Sequence, residues 1–153
     1  MKALVVYYTR TGHTKAVGGL ISKKLGCDIE ELIDNRNRAG LIGMTGAVFR
    51  PKRKTTIQPV KADPGDYDLV IVGTPVWWYT CTPAVTAFFR DYGKSVRKTA
   101  FFYTCDADRR IHAFEDMEEQ LGMAPVATLR IDRADKADLG KVKKIDDFLK
   151  KFR

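Results

Sequence analysis

The sequence contains few of the residues that build cross-links or metal centres. Its 153 residues include three cysteines and two histidines. Cys27, Cys81 and Cys105 are far apart and odd in number, so they indicate neither a disulfide framework nor a CxxC metal or redox pair. Two histidines are too few for a His-rich metal site. We interpret each cysteine as a small buried or half-buried hydrophobic residue.

Long hydrophobic runs are also missing. No apolar stretch approaches the roughly 20 residues that a membrane-spanning helix needs. The first residues, Met1-Lys2-Ala3, lead directly into a strand-like pattern, without the apolar region and cleavage site of a secretory signal. The length is that of one domain with a real core. We therefore expect a single cytoplasmic domain over residues 1–153, with no membrane insertion.

Acidic residues are outnumbered. Lysine and arginine together number 27 against 19 acidic residues, which gives a net charge of +8 that favours anionic partners. Residues 35–60 carry six of the basic residues and no acidic one: Arg36, Arg38, Arg50, Lys52, Arg53 and Lys54. We interpret this basic segment, with a short helix near 38–49, as a solvated loop, a docking surface for an acidic redox protein, or a cover over an anionic cofactor. Nucleic acid is a weaker candidate, because no recognised nucleic-acid motif accompanies the charge.

The sequence does contain a regular alternation of apolar runs and amphipathic segments. Unbroken apolar runs within residues 2–8, 69–72 and 100–103 predict strands buried on both faces. More polar runs at 29–33 and 126–131 predict edge strands. Apolar residues at helical spacing predict helices over 17–25, 85–92, 111–121 and 136–151. Five strands alternating with at least four helices predict an α/β fold of three layers, in which a parallel sheet is covered on both faces.

Three loops follow the three most apolar strands, and they are the places where function is expected. In a sheet of this kind, ligands bind beyond the carboxyl ends of the strands, where the strand order reverses. The loops are Thr9 to Thr14, Thr74 to Thr82, and Thr104 to Arg110.

The first loop reads Thr9-Arg10-Thr11-Gly12-His13-Thr14 and lacks both acid and cysteine. It matches neither GxGxxG nor GxxxxGK[ST], and it has no nucleophilic cysteine or phospho-accepting aspartate. Successive backbone N–H groups at a strand-to-helix junction, with threonine hydroxyls beside them, favour a terminal phosphate, and Gly12 would let the backbone approach it closely. The alternative is that Thr11 or Thr14 only caps the helix.

The second loop places three consecutive aromatic residues, Trp77-Trp78-Tyr79, just outside a buried strand. Leaving a large apolar side chain uncovered costs on the order of 1.5–3 kcal/mol. We therefore expect these side chains to cover a flat ligand, to cover an insertion of the domain itself, or to meet a partner.

These motifs together resemble the flavodoxin-like family, and in particular its short bacterial and archaeal FMN-binding members. The resemblance rests on TxTGxT after the first strand, on "DYDLVIVGTPVW" with "TPAV" and "FF" beyond it, and on "FFYTC" and "FEDMEEQLG", and so covers essentially the whole chain. It implies the strand order 2-1-3-4-5, with the basic irregular segment 35–60 in place of the second crossover.

The resemblance also implies FMN as the cofactor. The residues that would hold its phosphate are Thr9, Arg10, Thr11, Gly12, His13 and Thr14. Those that would border the isoalloxazine ring are Thr74, Pro75, Val76, Trp77, Trp78 and Tyr79. Those that would line its other side are Thr104, Cys105, Asp106 and Ala107. No residue stands out as a catalytic acid, base or nucleophile, and the flavin would supply the redox chemistry.

The implied function is electron transfer between redox partners, or reduction by a small flavin-dependent reductase. An acidic redox protein, ferredoxin-like or a reductase, is the expected partner, and the oligomeric state is left open. The alternative is a flavodoxin-like interaction module that has lost FMN and binds an acidic protein or nucleic acid.

Three features depart from the family pattern. No glycine follows the aromatic residues of the second loop, so a turn to positive φ would be costly there. The third loop, from Cys105 to Arg110, lacks glycine as well. The surface is basic where electron-carrier flavodoxins are acidic, which would make reduction of the flavin to an anion easier.

Overall fold

The computed structural model describes residues 1–35, 55–106, 111–132, 134–136 and 139–152. These residues contain a five-stranded parallel sheet with the order β2-β1-β3-β4-β5. The strands are β1 (Ala3–Tyr7), β2 (Asp28–Glu31), β3 (Leu69–Pro75), β4 (Thr99–Thr104) and β5 (Thr128–Ile131). The helices that connect and follow them are α1 (His13–Leu25), α2 (Pro83–Tyr92), α3 (Ala113–Leu121) and α4 (Leu139–Leu149). The predicted α/β fold and the implied strand order are therefore confirmed.

The two faces of the sheet are covered by different helices. Alternate residues of β1 point to opposite faces, so Leu4 and Val6 join one core cluster while Val5 joins the other. Helices α2 and α3 pack on the first face through residues such as Phe88 and Met117. On the second face, the core residues from helices α1 and α4 are Val17, Ile21, Ile145, Phe148 and Leu149. This is the three-layer arrangement that the apolar runs predict.

The basic segment lies mostly outside the described residues. The short helix expected near 38–49 and all six basic residues of the segment fall within the undescribed range 36–54. Its described end pairs with the chain just after β2, since the N–H of Gln58 donates to the carbonyl of Ile33 at 2.8 Å. Glu30 accepts hydrogen bonds from the backbone of Lys61 and Ala62 at 2.5 and 2.9 Å. The chain is thus attached to the outer strand before it enters β3.

In the part of the chain that the structure describes, no helix is both long enough and apolar enough to cross a bilayer.

One glycine of β3 is required by close packing across the sheet. A Cβ on Gly73 would lie 2.0 Å from Cζ of Phe102 and within 2.6 Å of two further atoms of the same ring. Phe102 is fully buried, so its ring has no free space to move into. Gly18 in α1 also faces neighbours, with Tyr7 at 3.2 Å from its would-be Cβ, whereas Gly19 faces open space.

We predict opposite effects for alanine at two of these glycines. Gly73→Ala should lower the free energy of unfolding by about 1–3 kcal/mol, because it overpacks the core. Gly19→Ala, the matched control, should raise it by about 0.5–1 kcal/mol, since it adds helix propensity without a clash. Urea denaturation of the two variants would measure both changes. A Gly73→Ala variant as stable as the natural chain would contradict this account of the packing.

Candidate functional site

The sheet brings the first two loops and the start of the third to one edge. In the register of the sheet, Tyr7 lies beside Gly73, and Pro75 lies beside Thr104. The carboxyl ends of β1, β3 and β4 are therefore adjacent. Backbone hydrogen bonds continue past the strands, since the N–H of Tyr8 donates to Gly73 and that of Val76 donates to Thr104, each at 3.1 Å.

The first loop ends in an open helix N-terminus. Gly12 is the N-cap residue of α1 and has a φ of 88° and a ψ of −8°, in the left-handed region that favours glycine. Its own N–H donates to Oγ1 of Thr9 at 3.1 Å, which closes the loop. Within the described residues, the backbone N–H groups of His13, Thr14 and Lys15 have no acceptor. These three donors lie at the positive end of a 13-residue helix, where they are able to donate hydrogen bonds to an anion.

The threonines of this loop have different environments. Thr11 is exposed, as are Arg10 and His13. Thr14 is buried, and its hydroxyl forms a 2.8 Å hydrogen bond with the hydroxyl of Thr104. Neither Thr11 nor Thr14 is the N-cap residue, so the alternative that one of them only caps the helix is wrong. Thr14 instead connects the first loop to the end of β4.

The acidic residue at the end of β2 is paired. Glu31 accepts hydrogen bonds on Oε2 from the hydroxyl of Tyr7 at 3.0 Å and from Nζ of Lys15 at 3.1 Å. Burial, together with this bond to Glu31, raises the pKa of the Tyr7 hydroxyl well above its ordinary value, so Tyr7 stays a neutral donor. The charge of Glu31 is thereby offset beside the first turn of α1.

The aromatic residues of the second loop do not form a uniform exposed platform. Trp77 is buried and packs edge-on against Tyr8, with ring centroids 5.7 Å apart and an interplanar angle of 88°. Trp78 and Tyr79 remain 54% and 44% exposed. Of the alternatives for these side chains, Trp77 therefore covers the protein itself, while Trp78 and Tyr79 are left for a ligand or a partner.

Residues 77–80, which we name the aromatic turn, form a strained hairpin. Trp77 and Thr80 exchange backbone hydrogen bonds of 3.0 and 3.1 Å across it. Trp78 and Tyr79 between them have φ angles of 51° and 69°, although neither is glycine. Hairpins of this type normally carry Asn-Gly, because left-handed backbone costs about 1–2 kcal/mol for other residues. Positive φ is present here despite that cost.

Buried hydroxyls fix the strand end from which the aromatic turn projects. Thr74 is fully buried, and its hydroxyl donates to the carbonyl of Pro75 at 2.8 Å. The same oxygen accepts the backbone N–H of Thr82 at 3.1 Å and lies 3.1 Å from the Thr82 hydroxyl. Thr82 is the N-cap residue of α2, but its side chain bonds to Thr74 and makes no capping hydrogen bond. Pro75 and Val76 are half-buried.

The third loop is described only at its start. Thr104 and Cys105 are buried, and the N–H of Cys105 donates to the carbonyl of Ile131 at 3.0 Å. Asp106 is exposed, and Ala107 lies outside the described residues. Burial raises the pKa of the Cys105 thiol despite the nearby Arg130, so this cysteine is not an activated nucleophile. No cluster of His, Cys, Asp and Glu within the described ranges could bind a metal ion.

Sequence reasoning does not identify two residues that support the aromatic turn, both on or beside α3. The N–H of His112 donates to the carbonyl of Tyr79 at 2.9 Å, and Oδ2 of Asp116 accepts the N–H of Cys81 at 3.2 Å. Asp116 lies within the "FEDMEEQLG" run that contributes to the family resemblance. The run alone does not show what this carboxylate contacts.

A groove of about 800 Å³ lies elsewhere, along β2. Its lining includes the acidic residues Asp28, Glu30 and Glu31 and none of the predicted site residues. Tyr67 at its wall donates to Oδ2 of Asp28 at 2.7 Å, and that bond raises the pKa of Tyr67 to about 12. Acidic side chains repel a phosphate, so this groove is not a candidate for the anion site despite its size.

The strand order and the start of α1 define a doubly wound α/β protein with an open helix N-terminus where the strand order reverses. A flavodoxin family model matches residues 2–128, and the chain therefore belongs to the flavodoxin family.

Solved structures share this fold along nearly their whole length. A flavoprotein from Lactobacillus acidophilus, determined in complex with FMN, has a TM-score of 0.72 and 17% identity, with 97% of this chain and 98% of that chain covered. Oxidised flavodoxin 2 from Bacillus cereus has a TM-score of 0.64 and 19% identity, with 99% and 97% covered. A flavodoxin from the domain Archaea has a TM-score of 0.56 and 17% identity, with 100% of both chains covered. No curated protein matches the sequence.

We predict that the aromatic turn can be made more stable. The double change Trp78→Asn and Tyr79→Gly should raise the free energy of unfolding by about 1–3 kcal/mol, because Asn-Gly adopts positive φ with little strain. Gln58→Gly is the control, because Gln58 is exposed and does not have a positive φ. This change should lower the free energy of unfolding by about 0.5–1 kcal/mol. Thermal and urea unfolding would measure both. A loss of stability in the double variant would show that the turn is not strained.

Proposed function

We propose that this protein binds FMN and transfers electrons, with the phosphate at the start of α1 and the ring beside the aromatic turn. The observation that carries the proposal is the set of backbone N–H groups of His13, Thr14 and Lys15 without an acceptor in the described residues, in a loop free of acid. The Lactobacillus acidophilus structure in complex with FMN supports the choice of cofactor.

The residues of the first loop fit a phosphate dianion. A Cβ on Gly12 would meet nothing within 4 Å, so the space above this residue is open to a ligand. Backbone N–H groups provide donors without added charge, and the exposed hydroxyl of Thr11 can donate as well. Arg10 and His13, both exposed, would add positive potential. The hydroxyl of Thr14 would support the loop and not contact the phosphate, since it is hydrogen-bonded to Thr104.

The second loop provides the surfaces that suit a flat aromatic ring. Trp78 and Tyr79 are exposed and held by a hairpin, so they could cover the ring without rearrangement of the core. Thr74 and Trp77, both buried, would support that surface from below. FMN, when bound, supplies the redox chemistry, while the protein binds and orients it and limits its contact with water.

Transfer between proteins is favoured over a small reductase. Exposed aromatic side chains, Trp78 and Tyr79, and the exposed basic Arg10 lie in these loops, and the sequence has no recognised nicotinamide motif. The surplus of basic charge suits an acidic redox protein as partner, because opposite charge speeds association.

Discrimination between FMN and riboflavin tests the proposal. Because riboflavin lacks the phosphate, we expect FMN to bind at least about tenfold more tightly. Thr11→Val should weaken FMN binding by about threefold to tenfold and leave riboflavin binding unchanged. Thr128→Val, at an exposed threonine on β5, is the matched control and should change neither. Quenching of flavin and tryptophan fluorescence would report both affinities.

A protein that is colourless when purified and gains no flavin absorbance or heat signal when titrated with FMN would refute the proposal. Equal affinity for FMN and riboflavin would mean that the start of α1 does not bind the phosphate.

The basic charge should also affect the reduction potential. The net charge of +8 favours the anionic reduced form, and each 1.4 kcal/mol of such preference raises a one-electron potential by about 60 mV. We therefore expect a potential above those of acidic flavodoxins, and a fall in that potential as added salt screens the surface charge. Redox titrations at low and high ionic strength would measure both. A potential as low as that of an acidic flavodoxin would contradict the expectation.

A further inference from the structure

Helix α3 and the residue that precedes it bond the aromatic turn at two points. The N–H of His112 donates to the carbonyl of Tyr79 at 2.9 Å, inside the turn. Oδ2 of Asp116 accepts the N–H of Cys81 at 3.2 Å, directly after the turn. These two bonds lie on either side of Thr80, so they restrain the chain where it leaves the strained pair of residues.

The carboxylate of Asp116 is itself oriented. Its Oδ1 accepts a hydrogen bond from Nε2 of Gln120 at 2.5 Å, one helical turn along α3. The same nitrogen lies 3.6 Å from Sγ of Cys81. Oδ2 therefore remains directed at the Cys81 N–H. Cys81 is only 1% exposed, and a buried backbone N–H requires an acceptor.

Strain in the turn gives this contact a function beyond packing. Bulky residues keep a positive φ only where several contacts with the surrounding structure hold them in that conformation. Restraints among the described residues include the cross-turn bonds, the packing of Trp77 on Tyr8, and the two bonds from the α3 side. Among them, the Asp116 contact is a side-chain hydrogen bond from outside the turn, so it can be removed without changing any residue that would face a ligand.

We propose that Asp116 is a positioning residue, which keeps Trp78 and Tyr79 in their left-handed conformation and thereby prepares the ring-binding surface. The inference rests on the proposed FMN function. Asp116 does not touch the ring in this account; it acts through the N–H of Cys81. Gln120 assists by orienting the carboxylate.

The test is a double-mutant cycle between Asp116 and Tyr79. Asp116→Ala should weaken FMN binding by about tenfold, equivalent to about 1.4 kcal/mol. In a Tyr79→Gly background the same change should weaken it by less than about twofold, because glycine holds positive φ without external restraint. Asp116→Asn keeps an acceptor oxygen and should restore affinity to within about threefold of the natural chain.

Two controls separate this role from general effects of charge and folding. Glu119→Ala removes an exposed acid from the same helix and should leave FMN affinity within about twofold. Amide hydrogen exchange without flavin supplies an independent readout. Exchange of the Cys81 N–H should accelerate by at least about tenfold in Asp116→Ala, while that of Val72 in β3 should not change.

The results distinguish this inference from the proposed function. If the natural chain does not bind FMN, the proposed function fails, and the Cys81 exchange still tests the contact. Equal loss of affinity in the Tyr79 and Tyr79→Gly backgrounds would show that Asp116 does not act through the turn. Unchanged exchange of the Cys81 N–H in Asp116→Ala would overturn the proposal in either case.

Discussion

The proposed site depends on three backbone N–H groups at the start of α1 that have no acceptor among the described residues. Gly12 begins the helix in a left-handed conformation, and the first helical residues then direct three donors to one place. These backbone donors suit an anionic group, because they lie at the positive end of the helix dipole. The parallel sheet places this helix start next to the ends of β3 and β4.

Hydrogen bonds between buried threonines connect the segments of that arrangement. The hydroxyls of Thr14 and Thr104 join the first loop to the third, and those of Thr74 and Thr82 join the end of β3 to the start of α2. A threonine-rich loop in a sequence of this kind therefore contains two classes of residue. Some present hydroxyls to solvent, where a ligand can reach them, and others are used inside the protein.

The fold can be predicted well from the sequence because strands and helices follow from local patterns of apolar residues. Apolar runs mark β1, β3 and β4, and Gly26 and Gly122 end the helices that the spacing predicts. These patterns also predict which loops lie together, because loops that follow adjacent parallel strands meet at one edge of the sheet. These patterns do not predict that Trp77 turns inward onto Tyr8, or that Asp116 accepts a bond from Cys81, because both contacts join residues far apart in the chain. Positive φ at Trp78 and Tyr79 opposes local preference and is imposed by the surrounding structure.

The other proposals depend on binding of the FMN phosphate at the start of α1. The most direct measurement is an amide NMR titration of the ¹⁵N-labelled protein with FMN. We expect large downfield shifts of the His13, Thr14 and Lys15 N–H signals, together with a change at the indole N–H of Trp78. Shifts confined to residues of the β2 groove, such as Ile29 and Lys61, would contradict it.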